Sequence, residues 1–412
     1  MKIIIQGAFS KSILVTLLLL FCNSLLAEEK KKSYQLDPGI HAELIGIHKQ
    51  IDEGQNGEAI KKLKKLISSN NLKAYDSAVA YQTMGFAKTN IGEFNDAAKH
   101  FIKALSLDAL PEDVTHGLNY TAAQILIHID KTKEGLKYLS KWFAKEPKAT
   151  GDAHILAATA YYHLKDYKQL IIHVEKALAL SSKPPLSWYE LLLAGYYEIK
   201  EYKKSVTLLE TIINKHPKKT NYWLQLAEIY QRLKQDKKAL AVYELAYTKG
   251  LLQKDDINRL ISNYLYLEMP YKAAMILEKE MAIGGIIPDF RSLTLLADSW
   301  LLAQENQKAE PVFKEIIKKF NDDHTRLRLG QLYIEAEEWS KVVDVLDVEL
   351  KSESKVLLSK VNLLLGIAQY HSKNMDKATR AFTHALSDKS TAEQASWWLE
   401  HLKDETTKTQ DS

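Results

Sequence analysis

The sequence predicts an all-α fold, a solenoid of about ten helix-turn-helix units closed by a C-terminal capping helix. Three observations carry the prediction. A residue that is small in most units recurs every 33 to 38 positions, at Ala59, Ala97, Gly135, Leu170, Ser205, Ala239, Ala273, Ala309, Val342 and Ala378. Four residues after each stands a larger apolar group: Leu63, Phe101, Leu139, Val174, Leu209, Tyr243, Leu277, Phe313, Leu346 and Phe382. Prolines 111, 147, 184, 185, 217 and 288 fall between the units, where helices must stop.

Packing explains the pairing of small with large. Two helices of a hairpin approach closely only where a side chain is small, and the apolar residue one turn later shares that face. One hairpin cannot bury its own apolar stripe, but stacked hairpins share a core. Leu170 and Val342 depart from the small-residue rule, so their hairpins should be slightly wider. The first unit, residues 38–70, has Ile47 where a small residue is wanted and reads as a worn N-terminal cap. Pro270 falls at the start of a second helix, a position that tolerates proline. Pro311 falls in or just past the first turn of another and predicts a slight local distortion. The repeats run to about residue 390. Beyond them, "TAEQASWWLEHL" predicts a capping helix over residues 391–403, with a polar tail over 404–412. Trp397 and Trp398 read there as cap packing, because a solenoid end needs one apolar and one wet face.

The repeat has a recognisable text. In "NYWLQLAEIYQRLKQDKKALAVYELA", Trp223, Leu226, Ala227, Tyr230, Ala239, Tyr243 and Ala246 resemble the tetratricopeptide pattern at its required offsets. The same frame recurs as Gly85, Ala97, Phe101 and Ala104, as Leu329, Gly330, Tyr333, Val342 and Leu346, and as Leu365, Gly366, Ala378, Phe382 and Ala385. The resemblance implies that the first helices line a concave face. Extending the frame puts Tyr120, Gln124, His128, Thr159, Tyr162, His163, Glu190, Tyr197, Gln231 and Arg232 on it. Tyrosine offers apolar area and a hydroxyl together, so this mixture suits protein recognition. The lysine set with which many such modules clamp a C-terminal carboxylate is missing from these positions.

The N-terminus reads as a cleaved secretory signal over residues 1–27. Lys2 and Lys11 precede an apolar run from Ile13 to Cys22, and charges begin at Glu28 after Leu25-Leu26-Ala27. That run is about half the ~20 residues of a membrane-spanning helix, which sets an uncleaved anchor second. A polar segment, 28–37, would then lead into the repeats. The single cysteine, Cys22, lies within the signal, so the exported chain is expected to be free of thiols and disulfides. With 46% hydrophobic and 26% charged residues, the composition is that of a packed protein. A net charge of +4 without a basic stripe gives nucleic-acid binding no support. The lysines of "EAIKKLKKL" form the wet face of an amphipathic helix whose other face is Ala59, Ile60, Leu63, Leu66 and Ile67.

No catalytic motif is present: no glycine-rich phosphate loop, no His-Glu-x-x-His, no Gly-x-Ser-x-Gly. The histidines are scattered, and the spacing of His154, His163 and His173 does not put pairs on adjacent turns of one helix. Neither a metal site nor a cofactor is expected, nor a small-molecule substrate. The expectation is a protein that holds other proteins.

A narrower resemblance covers residues 190–403. "YLEMPYKAAMILEKEM", "LLADSWLLAQENQKA", "LRLGQLYIEAEEWSKVV" and "AEQASWWLEHL" resemble the exported tetratricopeptide proteins that accompany TonB systems of Gram-negative bacteria. That likeness implies a periplasmic accessory to TonB, ExbB and ExbD in the uptake of iron complexes, meeting the membrane only through its partners. A periplasmic scaffold for envelope or peptidoglycan assembly would carry the same repeats, and an enzyme with an unrecognised groove site stands behind both.

Overall fold

A computed structural model describes residues 34–69 and 72–410. The signal expected over residues 1–27, and most of the segment 28–37, lie outside the described residues. Among those described, the secondary structure is helix and turn only, in 21 helices. They form two compact units, one ending at Pro184 and the other beginning at Pro185.

The first unit holds four hairpins: α1 (Pro38–Asp52) with α2 (Asn56–Ser68), α3 (Ala74–Asn90) with α4 (Phe94–Ser106), α5 (Glu112–His128) with α6 (Thr132–Phe143), and α7 (Gly151–His163) with α8 (Tyr167–Leu180). The second holds six: α9 (Leu186–Glu198) with α10 (Tyr202–Lys215), α11 (Thr220–Arg232) with α12 (Asp236–Thr248), α13 (Lys254–Tyr266) with α14 (Pro270–Ala282), α15 (Phe290–Leu302) with α16 (Asn306–Phe320), α17 (Asp323–Glu335) with α18 (Trp339–Leu346), and α19 (Lys355–His371) with α20 (Met375–Ala385). A last helix, α21 (Lys389–Gln410), follows. The small and large members of the sequence ruler sit on the second helix of each pair.

Glycines show why the inner positions are small. A Cβ added to Gly366 would lie 2.6 Å from the Phe382 ring, and one added to Gly330 would lie 2.7 Å from Leu346. Phe101 blocks Gly85 in the same way. In these three hairpins the large residue of the ruler therefore closes over the first helix, at the position where the tetratricopeptide pattern has glycine.

A second regularity accompanies the ruler. Five positions before each of its ten members, in the turn between the paired helices, one residue has a left-handed backbone. It is Gly54 and Gly92 in the first two turns, then Asp130, Lys165, Lys200, Lys234, Glu268, Gln304, Glu337 and Lys373, with φ between 56° and 63° in the eight that are not glycine. The turn thus reverses the chain in the same way ten times.

In the second unit, polar side chains tie one hairpin to the next. Tyr264 donates its hydroxyl to Glu244 on α12 at 2.6 Å, while Lys272 of α14 bonds the same carboxylate at 2.9 Å and lies over the Tyr264 ring. Tyr230 likewise donates to Glu210 at 3.0 Å with Lys238 over its ring, and Tyr333 donates to Glu310 at 2.8 Å with Lys341 over its ring. Trp300 takes the tyrosine's place on α15, under Lys308.

Two element boundaries inform the expectations. Pro270 is the first residue of α14, and Pro311 lies inside α16, which continues past it to Phe320. The last helix runs to Gln410, through most of the stretch expected as a polar tail. No proline or glycine lies between Lys389 and Gln410, so nothing in the sequence stops it. Within it Trp398 stacks on Phe382 at 5.4 Å, whereas Trp397 is exposed and stacks on His401.

Candidate functional site

The ten residues picked for a binding face all lie on first helices of hairpins, and none is buried. They divide between the units. Tyr120, Gln124 and His128 of α5, with Thr159, Tyr162 and His163 of α7, belong to the first; Glu190 and Tyr197 of α9, with Gln231 and Arg232 of α11, belong to the second. His128, His163, Gln231 and Arg232 are exposed, and the other six are half-buried.

In the second unit the chosen residues are joined. Tyr197 donates its hydroxyl to Glu228 at 3.2 Å, and Arg232 pairs with the same carboxylate at 2.8 Å while its guanidinium lies 5.2 Å from the centre of the Tyr197 ring. Gln231 donates to Asn263 of α13 at 3.1 Å. Burial and the neighbouring Glu228 carboxylate hold the Tyr197 phenol above its ordinary pKa, so it stays a hydrogen-bond donor. Glu190 receives the hydroxyl of buried Tyr222 at 2.6 Å; burial first, then that bond, pushes the Tyr222 phenol up to about 12. An aromatic ring, a guanidinium and a carboxylate are thereby held in one arrangement at the surface.

In the first unit the set is looser. Tyr120 lies against Trp142, ring centres 4.6 Å apart, and so serves packing within its hairpin. His128 meets the Phe94 ring edge-on, and Tyr162 meets Tyr167. His163 lies 3.6 Å from Asp130, beside a shallow cleft of about 560 Å³ lined by Asp130, Lys131, Glu134 and Leu164.

Two features escape the sequence pattern. His154 of α7 and His173 of α8, both classed with the scattered histidines, face each other with Nδ1 atoms 3.0 Å apart, boxed by Phe143 and Tyr161. Burial, each other's charge and Lys176 press the His173 imidazole down to about 4. Among the described residues, no group of three or more histidine, cysteine or acidic side chains could hold a metal ion. The register of Arg232 also continues to Tyr266 and Leu302, which end α13 and α15 and are both exposed. The signal that could have found them is the ruler itself, extended two units further.

The repeated hairpin, the glycine positions under the large residues and the common turn define the fold as tandem tetratricopeptide repeats. No protein-family model and no curated protein matches the chain. Solved structures similar to it include a tetratricopeptide repeat protein of Parabacteroides merdae, 15% identical over 61% of this chain and 98% of that one, at a TM-score of 0.30. The C-terminal part of a repeat-containing protein from Cytophaga hutchinsonii is 14% identical over 68% of this chain and 99% of its own, at 0.33. MamA of Desulfovibrio magneticus, from residue 41 on, is 18% identical over 52% of this chain and 96% of its own, at 0.31.

Proposed function

We propose that this protein is a periplasmic scaffold that binds other proteins, an accessory of a TonB–ExbB–ExbD energy-transducing system serving uptake of iron complexes. The observation that carries the binding role is the Tyr197–Glu228–Arg232 cluster on successive first helices. Tyrosine and arginine are the residues that most often anchor protein interfaces, and holding them in place before contact lowers the entropy cost of binding. The partner assignment is supported by the likeness of residues 190–403 to the exported repeat proteins of TonB systems. The location is supported by the basic, apolar, small-residue order of residues 1–27.

The test is a pull-down from periplasm and solubilised membrane with wild type, Tyr162→Ala and Tyr197→Ala, helicity being checked by circular dichroism. Recovery of TonB, ExbB or ExbD by wild type and its loss from Tyr197→Ala is the expected result. A hot spot of this kind is worth ~2 kcal/mol or more, roughly thirtyfold in affinity. Equal capture by wild type and Tyr197→Ala removes the cluster from the interface. A wild-type eluate without any TonB-system protein removes the partner assignment. N-terminal sequencing of the exported protein is expected to begin at Glu28.

A further inference from the structure

At three junctions between hairpins the same two positions of the frame touch. One is the residue that begins a second helix, three before its ruler member; the other ends the first helix of the following hairpin, seven before the next member. At the first junction they are Asn56 and Asn90, joined side chain to side chain at 3.3 Å. Histidine holds the later position three times, at His128, His163 and His371. Two of these imidazoles are covered by an aromatic ring from the preceding hairpin. Phe94 meets His128 edge-on with ring centres 4.7 Å apart, and Trp339 stacks on His371 at 4.1 Å with the planes 10° apart. Before His163 the covering position holds Thr132.

Thr132 is too short to do what Phe94 and Trp339 do. It lies low, 4% exposed, and at this junction the cleft of about 560 Å³ opens, lined by Thr132 and its neighbours on one side and by His163 and Leu164 on the other. The His163 side chain is 41% exposed, and Asp130 Oδ1, 3.6 Å from its Nδ1, tethers the ring by one edge. Asp130 and Glu134 balance Lys131 and Lys133 around the cleft, so its walls select no charge. A neutral group enters such a place at the least desolvation cost.

We infer that this cleft is a binding site for one aromatic side chain, of tryptophan, tyrosine or phenylalanine, presented by a partner protein. The incoming ring takes the place at His163 that Phe94 holds at His128 and Trp339 at His371. The chain itself thus shows twice which group complements a histidine at this position. Aromatic pairs in edge-on or offset contact gain attraction beyond the area they bury, and a ring seated in a pocket is a common anchor of protein interfaces. The site rests on the protein-binding reading for the source of its ring. It is independent of the Tyr197 cluster and of the TonB assignment.

The test titrates N-acetyltryptophanamide and N-acetylleucinamide into the purified full chain, with the His163 ring and Leu164 methyl resonances as the readout. The tryptophan amide is expected to saturate with a dissociation constant roughly three- to tenfold below that of the leucine amide. Thr132→Phe supplies the missing ring from within and should abolish the titration at unchanged helicity. His163→Ala, at an exposed position, keeps the fold whether or not that ring is accommodated; read at Leu164, it should make the two amides bind equally. Equal binding of the two amides by wild type, or no shift with either, overturns the proposal. So does a preference for the tryptophan amide that survives either variant. A dimer in light scattering that Thr132→Phe abolishes, without amide binding, assigns the cleft to a second copy of this chain and overturns it too. None of these outcomes bears on the TonB assignment, which the pull-down tests separately.

Discussion

Replacing Lys234 by glycine should make the second unit more stable. Lys234 sits in the turn between α11 and α12 with φ 57°, a left-handed backbone that costs an L-residue with a side chain ~1–2 kcal/mol. Glycine adopts it freely but adds ~0.5–1 kcal/mol of unfolded-state entropy, so the net gain is ~0.5–1 kcal/mol. The turn's hydrogen bonds are made by the main chain, Lys234 to Gln231 and Gln235 to Tyr230, both 2.8 Å, and survive the change. For a unit of this size the gain corresponds to a Tm rise of about 1–4 °C. The assay is calorimetric unfolding of wild type, Lys234→Gly and the reverse change, Gly92→Ala. At Gly92, with φ 76°, an added Cβ meets nothing within 4 Å, so its cost, ~1 kcal/mol, is purely conformational. If Lys234→Gly lowers Tm, with a stability loss near the ~1 kcal/mol expected of glycine inside a helix, the common left-handed turn is refuted.

Other outcomes follow from the same contacts. Gly366→Ala should lose ~1–3 kcal/mol in denaturant unfolding, because its Cβ would press into Phe382. Tyr264→Phe should cost ~1 kcal/mol and speed hydrogen exchange at the α12–α13 junction, since Glu244 loses a 2.6 Å bond. The His173 imidazole is held down to about 4, so the native state keeps it neutral where the unfolded chain, near the ordinary 6.5, takes up a proton. Stability from the pair is therefore complete above 6.5 and is lost as pH falls toward 4. Allowing for the water that reaches this ring, the loss is about 1–2 kcal/mol. Melting curves over that range should show His173→Gln less acid-sensitive than wild type, and parallel curves would remove the pair from the titration.

The hairpins were legible because their signal is local: Ala97 and Phe101, or Ala378 and Phe382, are one turn apart and report a packing need directly. The left-handed turn was not, since only Gly54 and Gly92 advertise it; at Lys165 or Glu268 the turn is imposed by the helices on either side, over the preference of the residue. The His154–His173 contact joins residues 19 apart on opposing helices, and no periodicity within one helix announces it. Of the binding-face residues, their place on first helices followed from the frame. The packing of Tyr120 against Trp142 did not, because it depends on where an indole from the paired helix lands.

The polar side chains of the second unit also separate by role in a way that bears on function. Glu210, Glu244 and Glu310 each accept a tyrosine from the following hairpin, with a lysine from one helix further over that ring. Such three-helix ties couple neighbouring repeats, the level at which stability in repeat proteins is set. Glu228 uses the same chemistry for a different result. It also accepts a tyrosine hydroxyl, from Tyr197, but its cation is Arg232 on its own helix, and the cluster remains at the surface. Because the neighbouring ties already fix the helices, Glu228 is left to set the orientation of a ring and a guanidinium. Rigid backbone beneath and an ordered, accessible cluster above are what a binding surface on a scaffold requires.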